Sequence, residues 1–183
     1  MKSIYLLLTR SESLISKAIR WVTGDLYTHV SMAFDRSLST LYSFARKYTA
    51  FPLPAGLVTE HLDTGFFARH RGMPCALLEL QVEDTVYNSA RQKLEQMMQQ
   101  PEMYHYNVVG LISCRLAIPL ERRRHYFCSQ FVGEILLQSG AVTLPKPVSL
   151  MRPVDYDLMP EFSCLFRGQL DALSIRTMCL FVA

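Results

Sequence analysis

Tyr126-Phe127-Cys128-Ser129-Gln130-Phe131-Val132 opens a segment that runs to Ser139. Phe131, Val132, Ile135 and Leu136 recur there at helical spacing, and Gly140 supplies the stop. This reading puts Cys128 in the first turn of a helix spanning Phe127–Ser139. Unpaired backbone N–H groups and the positive end of the helix dipole favour a thiolate at that place. Arg122, Arg123, Arg124 and His125 lie just upstream and add positive potential. A thiol of lowered pKa is a nucleophile at neutral pH. A Cys in this position equally suits a buried packing role, because free Cys is among the most buried residue types.

A nucleophilic Cys needs a base. The five histidines are His29, His61, His70, His105 and His125. His29 alone falls inside a regular strand pattern, Tyr27-Thr28-His29-Val30-Ser31-Met32-Ala33-Phe34. A strand can hold an imidazole rigidly against a thiol at a helix start, although hydrogen-bonded strand histidines with no such role are common. His125 is near Cys128 in sequence but faces solvent beside the arginines on this reading. A third group must orient the imidazole. Pairing through the turn Asp35-Arg36-Ser37 brings Ser43 or a near neighbour beside His29. The strand around it also offers Thr40, Tyr42 and Arg46, and Glu60 is the nearest carboxylate, in a loop that folds over the site.

Outward from these two stretches, 183 residues fit one domain, taken as 1–183. Half of the chain is hydrophobic and 19% is charged, which excludes intrinsic disorder. The 19 Lys and Arg against 16 Asp and Glu leave a net charge of +3, too small an excess to point to nucleic acid. Cys75, Cys114, Cys128, Cys164 and Cys179 form no C-x-x-C pair, so zinc ribbons and thioredoxin-like redox motifs are excluded. The apolar run Ile4 to Leu8 is too short for a signal peptide, and no stretch has the length to span a bilayer. The expectation is a cytoplasmic protein with reduced thiols. The apolar Met178 to Val182 leaves room for peripheral membrane or lipid contact.

Strands are expected at Ile4–Thr9, Thr28–Phe34, Thr40–Phe44, Ala76–Val82, Phe162–Phe166 and Ser174–Val182. Helices are expected from Ser11 or Ser13 to Val22, over Asp84–Gln100 and over Asn107–Leu116. Tyr48 to Thr59, with Pro52, Pro54 and Gly56, reads as an irregular loop. Pro145, Pro147, Pro153 and Pro160 mark an extended connection. The order of strands, helices and strands indicates an α+β fold, with an antiparallel sheet packed against helices.

Three features carry a resemblance: Tyr-x-His-Val-Ser on an early strand, Leu-Tyr-Ser-Phe on the next, and Phe-Cys-Ser-Gln-Phe-Val at a late helix start. Together they resemble the circularly permuted papain-like fold of the NlpC superfamily, in its YiiX/YaeF-like branch, which is related to lecithin–retinol acyltransferase. In that branch the His strand precedes the Cys helix, as His29 precedes Cys128. Tyr104 to Leu111 is similar to the segment before the Cys helix in such proteins. The resemblance implies Cys128 as nucleophile, His29 as general base and a polar third residue on the following strand. Ser43 is the best-placed candidate, ahead of Arg46 and Glu60.

The implied activity is that of a cysteine peptidase, amidase or acyltransferase, working on an amide or ester bond through an acyl-enzyme on Cys128. Its oxyanion would meet the Cys128 N–H, with Tyr106 and Tyr126 as candidate donors. The substrate would be a cell-wall-type peptide, a small amide or a lipid, and the chemistry needs no metal or organic cofactor. Two rivals predict different thiols. A non-catalytic module of papain-like shape keeps Cys128 near the ordinary thiol pKa of about 8.5. A metal site would join Cys128, His29 and His125.

Overall fold

The computed structural model of the chain describes residues 1–10, 24–46 and 55–173. Its chain order is β1 (Lys2–Thr9), β2 (His29–Ala33), β3 (Leu41–Arg46), β4 (Ala55–Glu60), α1 (Gly65–Arg69), β5 (Pro74–Val82) and α2 (Asp84–Gln99). There follow β6 (His105–Tyr106), α3 (Val108–Arg115), β7 (His125–Tyr126), α4 (Cys128–Gln138), α5 (Pro153–Leu158) and β8 (Ser163–Gln169). Among the described residues, eight strands form one sheet in the order β7-β6-β4-β3-β2-β1-β5-β8. The fold is α+β. The sheet is mixed rather than purely antiparallel, because β6 and β7 run parallel, pairing His105 with His125 and Tyr106 with Tyr126.

The apolar run of β1 is explained by burial on both faces. Ile4, Leu6 and Leu8 point to one core with Val30, Met32 and Phe44, under Leu94 of α2 and Phe131, Ile135 and Leu136 of α4. Tyr5 and Leu7 point the other way, to Leu41, Phe67, Cys75, Leu77 and Leu170. β1 pairs with β5 over eight residues, from Lys2↔Val82 to Thr9↔Cys75, and with β2 from Tyr5↔Ala33 to Thr9↔His29. This central ladder holds the start of β2 in place. Phe131 is fully buried, with its ring 5.3 Å from that of Phe44, and it clamps the first turn of α4 onto β3.

Other expectations are corrected or lie outside the described residues. The end of the expected loop Tyr48–Thr59 is strand β4, antiparallel to β3 from Leu41↔Glu60 to Arg46↔Ala55. The Pro-marked connection contains α5, whose Pro153 sits at the first helical position, where its missing N–H costs nothing. The expected helix from Ser11 or Ser13 to Val22, the strand Ser174–Val182 and the apolar Met178–Val182 lie outside the described residues. No helix among the described residues is long and apolar enough to cross a membrane.

Candidate functional site

Cys128 is the first residue of α4, and Phe127 stands at the N-cap in extended conformation with no side-chain cap. Phe is a poor cap, so it leaves the first-turn N–H groups uncommitted to a side chain. Phe127 is itself 1% exposed, so packing decides its identity. Cys128 is buried, at 6% exposure. The backbone N–H groups of Val30 and Ser129 point at its sulfur, and the His29 ring hydrogen-bonds to it. Burial opposes the thiolate, but the His29 hydrogen bond and charge and the two N–H donors win. The Cys128 pKa lies below its ordinary value of 9.0.

His29 opens β2, and Glu60 closes β4. Nε2 of His29 lies 3.1 Å from Oε2 of Glu60, with the two side chains 17% and 12% exposed. Ser31 Oγ donates to the same oxygen at 2.6 Å and stands 3.2 Å from Nε2. With Nε2 committed to the carboxylate, Nδ1 is the ring nitrogen left for the thiol. Burial alone would drive His29 neutral. The Glu60 charge, together with the hydrogen bonds to Cys128 and Glu60, outweighs it and raises the pKa to about 10. Burial likewise opposes the Glu60 carboxylate, and His29 and Ser31 hold its pKa below the usual value. Cys128, His29 and Glu60 therefore stand in one largely buried line, and the shifts favour the charged form of each.

The third position of this line is held by Glu60, not by Ser43. The buried Ser43 hydroxyl donates instead to the Val30 carbonyl at 2.7 Å. β2 and β3 are paired only at Met32↔Tyr42, so the backbone of Val30 is released from that ladder. Its carbonyl takes the Ser43 hydroxyl while its N–H faces Cys128. Ser43 thus satisfies a backbone acceptor on the strand that faces Cys128. Arg46 ends β3 opposite Ala55.

The support around Cys128 is dense. Ser129 Oγ donates to the Met151 carbonyl at 2.7 Å, and the fully buried Tyr156 donates to the Ser129 carbonyl at 2.6 Å. Burial, then the charge at Cys128, keeps Tyr156 protonated far into the alkaline range. Gly133 is required for this approach, because a Cβ there would come within 2.8 Å of the Tyr156 hydroxyl. Asn107 caps α3 by accepting from the Gly110 N–H at 2.9 Å, and its amide reaches Gln130 at 3.3 Å. Asp25 takes Arg115 at 3.0 Å and Arg152 at 3.1 Å, tying the segment before β2 to α3 and α5.

The other sequence candidates lie elsewhere. His125 bonds to the Arg123 carbonyl, and its ring lies 5.1 Å from that of His105. His61 and His70 bond to the Ser39 and Phe66 carbonyls. Among the described residues no group of three or more His, Cys, Asp or Glu is arranged to hold a metal ion. Tyr126 packs edge-on against Phe44 at 5.4 Å, and burial pushes its pKa up to about 12. Tyr106 is partly buried against the same core. A cleft bounded by Phe34, Tyr42, Tyr87 and Arg91 includes none of Cys128, His29 or Glu60. Sequence reasoning ranked Glu60 behind Ser43 and missed Tyr156 altogether. For Tyr156 the one local signal was a Pro153-initiated helix. Comparison of the chain with protein-family models, with curated proteins and with solved structures found no match.

Proposed function

We propose that the protein is a cysteine-dependent hydrolase or acyltransferase with a permuted papain-like arrangement, acting on amide or ester bonds. What supports the reading is one observation: Cys128 at an uncapped helix start is hydrogen-bonded to His29, whose far nitrogen meets Glu60 at 3.1 Å. The Cys128 thiolate attacks the substrate carbonyl, and the C=O π electrons move onto oxygen. The free Cys128 N–H is the donor placed to receive that oxyanion. On collapse the imidazolium of His29 gives its proton to the leaving amine or alcohol, and a thioester remains on Cys128. Neutral His29 then takes a proton from water, or from an acceptor amine or alcohol, as that group attacks the thioester. The acid or transferred acyl product leaves and the thiolate–imidazolium pair is restored. Glu60 fixes the ring and stabilises its charge throughout. Its substrates are a peptide, a small amide or an acyl lipid.

The test is labelling by thioester-forming acyl and peptide probes, with wild type compared to Cys128→Ser. Acylation of Cys128 in preference to the other cysteines is expected, and equal labelling of all of them would sink the reading. The burial of the thiol favours one competing role, a binding module of the same shape without turnover. That role requires probe acylation no faster than the reaction of an ordinary buried thiol.

A further inference from the structure

Helix α3 is amphipathic with its faces inverted. Asn107, Gly110 and Cys114 face the protein interior. Val108, Val109 and Ile112 are 45%, 54% and 57% exposed, and Leu116 and Ile118 just beyond the helix are 66% and 55% exposed. At 100° per residue, positions 108, 109, 112 and 116 fall within one 100° arc, directly opposite the buried arc. A water-facing helix surface normally carries polar side chains, so a contiguous apolar face marks a contact surface.

The second observation is charge. Arg122, Arg123 and Arg124 are all exposed, in a tight turn closed by the His125 N–H bonding to the Arg122 carbonyl at 3.0 Å. Glu121 is the acidic residue beside them. The turn follows α3 closely in the chain, which passes from exposed Leu116 through exposed Ile118 to Arg122. β6 and β7 pair in parallel and lead directly into α3 and α4, and the His105 N–H bonds to the Arg124 carbonyl at 2.9 Å. An apolar helix face beside a cationic turn matches the interface of a bilayer with anionic headgroups: apolar side chains enter the acyl boundary while guanidinium groups meet phosphates. A protein partner would need its own acidic rim around an apolar patch, whereas an anionic lipid surface supplies both at once.

We propose that the α3 face and the Arg122–Arg124 turn dock this protein on anionic lipid membranes. The proposal stands apart from the chemistry assigned to Cys128, so either can fail alone.

The test is flotation with phosphatidylcholine vesicles made with and without phosphatidylglycerol. Wild type and Cys128→Ser are expected to float equally with the anionic vesicles, and less as salt is raised. Arg122→Gln, Arg123→Gln and Arg124→Gln should each weaken partitioning about fivefold. Val109→Ser with Ile112→Ser should weaken it about tenfold. All these positions are exposed, so melting temperatures should hold, and that control separates lost docking from lost folding. Wild type remaining with the unbound fraction, or variants floating as well as wild type, would overturn the proposal. So would concentration-dependent self-association abolished by Val109→Ser with Ile112→Ser and unaccompanied by flotation, since the face would then belong to a second copy.

Discussion

Cys75 and Cys128 are both buried, at 1% and 6% exposure, yet their thiols are pushed in opposite directions. Burial pushes Cys75 up to about 12, and the negative charge of Asp171 adds to it. Burial opposes the Cys128 thiolate too, yet its pKa still lies below 9.0, because His29 and two backbone N–H groups face its sulfur. Cys75 lies near the start of β5 with a paired strand on each side, opposite Thr9 of β1 and Gly168 of β8. Cys128 sits at a helix start, against a strand whose partner has diverged. The difference teaches that reactivity here comes from backbone donors left unpaired at the edges of elements, together with one charged ring.

That comparison can be broken most severely by removing its terms at the site. Cys128→Ser should abolish acyl transfer, a loss of about a thousandfold or more in kcat/KM against an acyl or peptide probe substrate. His29→Ala should make Cys128 resemble Cys75. Its alkylation rate at neutral pH should fall about a hundredfold, read by mass spectrometry at each cysteine. Exposed Cys164 gives the internal reference rate. Glu60→Gln should be milder, at about ten- to a hundredfold in kcat, with a diagnostic shift in pH. In wild type the thiolate–imidazolium pair exists from the lowered Cys128 pKa up to about 10, where His29 deprotonates. Without the Glu60 charge, burial acts on the ring with less opposition, so the alkaline limb should move to lower pH. Ring proton shifts of His29 in NMR would follow the same change.

The linkage to stability has a definite sign. The folded pKa of His29 is raised from 6.5 to about 10, so its contribution is full below about 6.5 and disappears as pH rises through about 10. Glu60 runs the other way. Its contribution is present above its ordinary 4.5 and is lost as pH falls through its lowered folded value. The melting temperature of wild type minus that of Glu60→Gln should therefore shrink at both ends of the pH range.

Two smaller changes sharpen the comparison through packing. Gly133→Ala forces a methyl group against the Tyr156 hydroxyl and should destabilise the fold by about 1–3 kcal/mol, measured by denaturant unfolding. Ser43→Ala leaves the buried Val30 carbonyl without its hydroxyl partner and should cost about 1–2 kcal/mol. Because Val30 also faces the sulfur, that change should raise the apparent thiol pKa slightly while leaving the His29 limb in place.

Cys128 and His29 were legible because each belongs to a local pattern: an apolar helix register beginning at a Cys, and a strand alternation containing a single His. Glu60 was not, because its role depends on two levels of pairing. Pro52, Pro54 and Gly56 disguised β4 as loop, and the contact of Glu60 with His29 reaches from β4 past β3 to the start of β2, which no local pattern announces. Ser43 lies near His29 as the hairpin argument required. Divergence of β2 from β3 then gave its hydroxyl a closer acceptor, which no sequence pattern announces. The parallel β6–β7 pair escaped notice because two-residue strands have no period to read. Tyr156 was hidden by prolines that signalled extension, though Pro153 sits where a helix tolerates it best.

The most direct measurement is the pH dependence of Cys128 alkylation, followed residue by residue in wild type and in His29→Ala. The expected result is an apparent pKa below that of an ordinary thiol in wild type that rises in the variant, with Cys75 unreactive in both. An ordinary thiol titration at Cys128, unchanged when His29 is removed, would contradict the coupled pair on which the proposed chemistry rests.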